Sequence, residues 1–358
     1  MSRVAIIGAG IGGLTTAIGL QRHGWDVSVF ERAPASSPVG AGLSLFANGF
    51  RALDLLGAGD AVRTIAGPAP QHLTTGQRRR DGRWLATTAP EAISALRVVH
   101  RADLHRVLAG LLEPGTITYG KKVDGVPGGY DVVVAADGLR SPTRGTPVRY
   151  RGYTSWRGVT TRPVDLLGGA GESLGRGERF GLASLPDGRV YWFGVVSLPA
   201  GTEFPDEYAE VRRRFDRWHA PIADVLDATD PATVVRTDIH DVAALPSFVR
   251  GTTVLLGDAA HAMTPDLGQG ANLALEDAAT LTHFLGALPI DAALDAYDRT
   301  RRPRTQALSR KARTLGRLLQ SRSPLRDALL RLTPAAVATR ELTGIQAWSQ
   351  PGVPSGHS

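Results

Sequence analysis

The chain has 358 residues, of which 42% are apolar and 21% charged, proportions that allow a large buried core and exclude a disordered or low-complexity protein. It has no cysteine, which excludes disulfide frameworks, thiol redox chemistry and Cys-ligated metal centres and fits a cytoplasmic protein. Its net charge of +7 comes from scattered arginines, with short clusters at Arg78–Arg80 and Arg212–Arg214 but without the interleaved aromatics of a nucleic-acid surface.

Val4-Ala5-Ile6-Ile7 opens the chain as a continuous apolar run, the pattern of a strand buried in a parallel sheet. Glycines break the stretch up to Leu20, so it reads as strand, turn and helix, not as a signal segment or a membrane span. Leu14, Ala17, Ile18 and Leu20 recur at helical spacing, and Gly24 stands where a helix cap belongs. Val27 to Phe30 predicts the next strand, ends at Glu31 and completes a βαβ unit. Residues 66–94 and 150–240 alternate apolar and polar and carry aromatics between Pro-Gly turns, so they read as β-rich. Between and after them, Asp131 to Ala136 and Thr252 to Leu256 predict buried strands, followed by Asp137-Gly138 and Gly257-Asp258. A strong helix is predicted from Gln269 to Leu285. Helices interrupted at Pro303, Pro324 and Pro334 follow, and the last eight residues read as disordered.

The fold class predicted is α/β. A Rossmann-like dinucleotide-binding domain (1–65, 95–147 and 250–300) receives an inserted, mostly antiparallel substrate domain (66–94 and 148–249). A C-terminal helical region covers 301–350, and 351–358 form a tail.

The turn Gly8-Ala9-Gly10-Ile11-Gly12-Gly13 sits between the first strand and the first helix. In G-x-G-x-x-G, the first glycine (Gly8) makes the turn, the second (Gly10) lets backbone approach a diphosphate, and the third (Gly13) permits close helix–strand packing. The helix N-terminus then faces the phosphates. Glu31 is placed to accept hydrogen bonds from an adenosine ribose, and a carboxylate there disfavours the 2′-phosphate of NADP.

Two later segments settle which dinucleotide. Asp137-Gly138-Leu139-Arg140-Ser141 and the run from Gly257-Asp258 through Gly268-Gln269-Gly270-Ala271-Asn272 to Ala278 resemble the internal signatures of p-hydroxybenzoate hydroxylase-like single-component flavin monooxygenases. The likeness spans about residues 1–320 and implies FAD as cofactor, NADH or NADPH as a transient reductant, and O2 as co-substrate. It implies a flavin C4a-hydroperoxide that hydroxylates an electron-rich aromatic, heteroaromatic or enolic small molecule. By the same resemblance, Asp258 binds ribityl hydroxyls, and the backbone N–H groups of Gly270, Ala271 and Asn272 face the flavin N1–C2=O edge. Arg101 contacts the diphosphate, with Arg32 as a second phosphate candidate, and Asp137 serves FAD and nicotinamide. His261 reads as structural within its signature. No metal spacing, second GxGxxG or nucleophile elbow occurs.

Arg179, Tyr191 and Asp266 resemble a substrate-serving trio of flavin-dependent urate hydroxylases. In that reading Arg179 stabilises an anionic substrate or holds the flavin region, Asp266 takes or relays a proton, and Tyr191 orients the substrate. If Pro186-Asp187-Gly188 is a three-residue loop, Tyr191 pairs with Ala183 and shares a face with Arg179, about 13 Å away along the strand. A two-residue loop puts Tyr191 on the opposite face. Trp156 reads as packing. The stretch from Arg101 to Asp137 is shorter than is usual in the family, which predicts pared-down strands and a more open site. Two alternatives remain at this level: a flavin oxidase or dehydrogenase on the same scaffold, or a non-catalytic flavoprotein that uses the Arg-rich helices of residues 300–332 to bind a partner. The chain is expected to be a monomer or homodimer.

Overall fold

The computed structural model describes residues 1–35, 41–67, 69 and 72–352. The tail read as disordered falls mostly on residues 353–358, outside the described residues.

In chain order, β1 (Arg3–Ile7), α1 (Ile11–Arg22) and β2 (Asp26–Phe30) form the opening βαβ unit. Then come β3 (Gly42–Leu45), α2 (Ala47–Leu56), α3 (Gly59–Ala66), β4 (Gly76–Arg79), β5 (Trp84–Thr87), β6 (Arg97–His100), α4 (Arg101–Gly110), β7 (Ile117–Thr118) and β8 (Val132–Ala135). β9 (Val148–Val159), β10 (Gly171–Leu174), β11 (Glu178–Ser184), β12 (Val190–Val196), α5 (Glu207–Phe215), α6 (Ile222–Asp227) and β13 (Val235–Val242) follow. The last elements are β14 (Val249–Arg250), β15 (Thr253–Leu255), α7 (Asp258–His261), α8 (Gly270–Ala287), α9 (Ile290–Leu319), α10 (Leu325–Leu332) and α11 (Ala335–Gln346).

Two large sheets organise these elements. The first has the order β14-β15-β8-β1-β2-β7 and is parallel except for β14. Its central strands are apolar on both sides because helices cover them, and Val4, Ala5, Ile6, Val132 and Val134 are fully buried. Helix α1 lies close against α8 and the sheet. A Cβ on Gly12 would come within 2.6 Å of a Leu256 methyl and 3.4 Å of Ala274 on α8, so a side chain there would displace Leu256.

The second sheet runs β13-β9-β12-β11-β10-β4-β5 and is antiparallel except between β10 and β4. One face buries Trp156, Phe180, Leu182 and Trp192 against Val211, Phe215, Ile222 and Val225 of α5 and α6. Phe180 and Trp192 stack at 5.4 Å between ring centroids. Trp156 is therefore core, as its sequence context predicts. The helices α5 and α6 correct the expectation of unbroken β character across 150–240. Asp206 caps α5 by accepting from the Ala209 N–H at 2.9 Å, and the apolar face of the helix completes this core.

The Pro186-Asp187-Gly188 loop has three residues, because the Leu185 N–H donates to the Arg189 carbonyl across it at 2.8 Å. Tyr191 pairs with Ala183 and Arg179 with Val195, so Arg179 and Tyr191 do share a face. A second correction concerns Pro303, which interrupts nothing: α9 runs through it from Ile290 to Leu319. The ring costs one backbone hydrogen bond, but buried Arg301 and Thr305 on either side anchor the helix. Pro324 and Pro334 do stand at helix starts.

Candidate active site

The turn after β1 is shaped by backbone sterics. Gly8 has φ +105°, a conformation that L side chains rarely adopt, and a Cβ on it would strike the Ala136 carbonyl. A Cβ on Gly13 would strike the Gly8 carbonyl. Gly10 differs, since it has ordinary dihedrals as the N-cap of α1 and nothing within 4 Å of a Cβ position. The open side of the turn is thus at Gly10, in front of the α1 N-terminus. Glu31 lies beneath it and ties the turn together, accepting from Ala9 N–H at 2.9 Å and Ala33 N–H at 2.8 Å. His105 Nε2 lies 2.8 Å from the Ala9 carbonyl, a contact not anticipated from sequence. Arg101 begins α4, and Arg32 follows β2. Both side chains are exposed and make no hydrogen bond among the described residues.

The ends of β8, β15 and the helix that follows them form a second wall. Asp137 accepts from the Thr143 hydroxyl through Oδ2 at 3.0 Å, while its buried Oδ1 has no partner among the described residues. The carboxylate of Asp258 is exposed and likewise unbonded. Arg144 joins these two segments. It is 1% exposed and donates to the carbonyls of Leu139 at 2.6 Å and Ala259 at 3.2 Å. Sequence reasoning missed it, although it stands only three residues past Ser141. Its role depends on carbonyls more than a hundred residues away, which no local pattern shows.

Helix α8 begins at Gly270, and the N–H groups of Gly270, Ala271 and Asn272 have no acceptor among the described residues. The Asn272 side chain is occupied: Oδ1 accepts from Phe46 N–H at 2.9 Å, and Nδ2 donates to the Ser44 and Gly268 carbonyls. It ties β3 to α8, leaving its backbone N–H as the free donor. An open turn at Gly10, an orphaned Asp137 oxygen, an unbonded Asp258 and three free helix N–H groups fit an elongated, polar, phosphate-bearing group. No cluster of metal-ligating side chains occurs among the described residues.

The third wall is the second face of the seven-stranded sheet. Arg179 is buried there, and Nε donates to Gln320 Oε1 at 2.8 Å, Nη1 to Glu172 Oε2 at 3.1 Å and Nη2 to Asp266 Oδ1 at 2.7 Å. Asp266, just before α8, also accepts from the Tyr153 hydroxyl at 2.6 Å, and its side chain has no exposure. Burial and Asp266 together push the Tyr153 phenol up from its ordinary value. Tyr191 is half-buried beneath Gly42 of β3, and burial pushes its phenol up while Arg157 opposes the shift. The structure therefore joins Arg179 and Asp266 directly and places Tyr191 on the same face. Glu172, Tyr153 and Gln320 complete the group and were not singled out from sequence. Gly316 of α9 makes room for it, since a Cβ there would strike Asp266 and lie 2.7 Å from the Tyr153 hydroxyl. Gly316→Ala should cost about 1–3 kcal/mol through overpacking, read as a fall of several degrees in the thermal unfolding midpoint. An unchanged midpoint would show that this packing is not tight.

His261 is structural, as expected. It is 3% exposed, and Nε2 lies 2.5 Å from Asp277 Oδ2 inside the core. Between α4 and β8, only the two-residue β7 joins the sheet among the described residues. Among the described residues, no helix is long and apolar enough to cross a membrane.

Comparison with known proteins agrees with this geometry. The FAD dependent oxidoreductase family matches residues 3–130 and the FAD binding domain family residues 130–312. The chain is 36% identical over 327 residues to the aurachin C monooxygenase/isomerase of Stigmatella aurantiaca, covering 83% of this chain and 84% of that protein. It is 35% identical over 340 residues to the FAD-dependent urate hydroxylase of Klebsiella pneumoniae, covering 87% and 88%. The structure of Klebsiella pneumoniae HpxO complexed with FAD and uric acid superposes with a TM-score of 0.85 at 30% identity, over 96% of each chain.

Proposed function

Because the chain belongs to the FAD-dependent monooxygenases that hydroxylate aromatic and heteroaromatic rings, we propose that it inserts one oxygen atom of O2 into an electron-rich aromatic, heteroaromatic or enolic small molecule, with NADH or NADPH as reductant. The observation that carries this reading is that unbonded donors and carboxylates from distant segments lie on elements packed against one another, with Gly8 against Asp137 and Gly12 against Leu256 and Ala274. Bound FAD supplies the electron transfer and oxygen activation. The protein's part is to bind, orient and exclude water.

In this reading the α1 N-terminus at Gly10 receives the diphosphate, with Gly8 and Gly13 holding the turn and Arg101 and Arg32 adding positive charge. Glu31 serves the adenosine ribose with the lone pairs that Ala9 and Ala33 leave available. Asp258 holds ribityl hydroxyls, and Asp137, whose Oδ1 lacks a partner, completes the far side. The free N–H groups of Gly270, Ala271 and Asn272 stabilise negative charge at the flavin edge. Arg179, Asp266 and Tyr191 build the substrate side. Since each of its three nitrogens already donates to Gln320, Glu172 or Asp266, Arg179 acts by fixing Glu172 and Asp266 in place, and Tyr191 orients the ring. Urate, the substrate named for one relative, is one member of the class to test.

The test is oxygen uptake and NAD(P)H oxidation by the purified protein across phenols, hydroxypyridines and purines, with hydroxylated product identified by mass. Turnover without NAD(P)H would indicate an oxidase instead, and failure to bind FAD would end the reading. A sharper expectation concerns Asp258. Because it is exposed and supports no internal bond, Asp258→Ala should fold normally yet bind FAD roughly ten- to hundred-fold more weakly, the loss of one hydrogen-bonding charged group. Flavin titration of the apoprotein measures it, and unchanged affinity would remove Asp258 from the site.

A further inference from the structure

The substrate-facing side of the large sheet is covered unevenly. Its residues form rows across the strands. The row Leu174, Arg179 and Val195 lies under α9, where Leu174 packs with Leu315 and Leu319 and Arg179 bonds Gln320. The row containing Tyr191 lies under Gly42 of β3. Between them runs Glu172, Gly181, Phe193 and Arg157, one residue from each of β10, β11, β12 and β9. Gly181 has no side chain, and the Phe193 ring lies across it. This middle row forms a flat aromatic floor with a carboxylate at one end.

Glu172 is the accessible charge at the β10 end of that floor. Its side chain keeps 21% of its exposure, against 2% for Arg179 and 0% for Asp266. Oε2 takes the Arg179 hydrogen bond, while Oε1 accepts none among the described residues. Arg179 is shared between the Glu172 and Asp266 carboxyls, and Tyr153 is held neutral, so the cluster leaves no unpaired cation for a further anion. Burial pushes the Glu172 carboxyl up, Arg179 opposes that, and Asp266 adds to it. The remaining cation on the row, Arg157, is three strands away, about 14 Å at the usual strand spacing, and bonds Thr237.

We propose that Glu172 determines specificity: its unbonded carboxyl oxygen accepts a hydrogen bond from an uncharged O–H or N–H group of the substrate ring, and by occupying Arg179 it denies that cation to substrates that place a carboxylate at that end. This deepens the hydroxylase reading and rests on it. The chemistry is a selection rule. A neutral donor gains a hydrogen bond to Glu172, whereas an anion finds the Arg179 guanidinium already engaged by Glu172 and Asp266.

The probes are 4-hydroxybenzamide and 4-hydroxybenzoate, alike in ring and phenol and different in charge. Their binding to the FAD-loaded enzyme is read from the perturbation of the flavin absorbance, in wild type, Glu172→Gln and Glu172→Asp. Wild type should bind the amide at least ten-fold more tightly than the acid. Glu172→Gln should narrow that ratio at least ten-fold, and Glu172→Asp should largely retain it. A ratio is used because a merely structural role would weaken both probes alike. Equal or tighter binding of the acid by wild type, no binding of the amide, or a ratio unmoved in Glu172→Gln would overturn the inference. A protein that takes up no FAD is seen in the spectrum before any probe is added. That outcome ends the hydroxylase reading and this inference with it, whereas an FAD-loaded protein that does not discriminate ends this inference alone.

Discussion

Apoprotein carrying Gly13→Ala should unfold at a lower temperature than wild type, apoprotein carrying Gly10→Ala should not, and both should lose FAD. The two glycines stand three residues apart in one turn and do different physical work. A Cβ on Gly13 would strike the Gly8 carbonyl, and it would also lie 3.3 Å from Ile6. Gly8 cannot yield easily, because its φ of +105° and its fit against Ala136 hold that backbone in place. Helix α1 must therefore move off β1, which should cost about 1–3 kcal/mol and several degrees in the unfolding midpoint. Gly10 has φ −74° and free space around it, so alanine there strains nothing in the empty protein. Its methyl group would instead occupy the side where backbone must approach the diphosphate. Calorimetry of the apoproteins and flavin titration separate the two effects. A Gly13→Ala apoprotein as stable as wild type would mean the turn is looser than its geometry, and a Gly10→Ala protein with full FAD affinity would move the diphosphate elsewhere.

That contrast also shows why one half of the site is legible in the sequence and the other is not. The turn, Glu31 and the α8 N-terminus are each carried by a few consecutive residues of restricted type, so a local pattern reveals them. The substrate wall is built by register. Arg179 meets Asp266 across 87 positions and Gln320 across 141, and no local pattern marks such partners. The hairpin could be read as two alternatives, and only the loop closed by Leu185 and Arg189 decides between them. Glu172 sits on a four-residue strand whose place beside β11 is not apparent from its own sequence. Arg144 and Gly316 are invisible for the same reason, since each matters through distant backbone or side-chain atoms. The helices α5 and α6 were hidden among β-like segments because their apolar faces gain meaning only against Trp156 and Trp192.

Arg301→Met should be among the most destabilising single changes in this protein, by about 3–5 kcal/mol and on the order of 10 °C. Arg301 is fully buried, with Nε donating to Asp277 Oδ1 at 2.7 Å and Nη1 lying 2.7 Å from Glu276 Oε2. Glu276 retains Arg304 and Asn48 as partners when Arg301 is removed, but among the described residues Asp277 retains only His261 and the Gly257 N–H. Burial would raise the Asp277 carboxyl, yet His261 and Arg301 hold it down to about 2. A carboxyl lowered in the folded state stabilises fully above its unfolded value near 4, and that stability, roughly 2–3 kcal/mol, is lost as pH falls from about 4 toward 2. With Arg301 gone, burial remains and one opposing cation does not, so the carboxyl rises and the loss begins at higher pH. Unfolding midpoints measured from neutral pH down to about 4 should stay nearly flat for wild type and fall for the variant. The effect should also reach the cofactor, because Asp277 accepts from the Gly257 N–H at 3.0 Å and so sets the turn that presents Asp258. A variant that matched wild type in midpoint and acid tolerance would show that the hydrophobic packing between α8 and α9, and not this ion cluster, holds the two helices together.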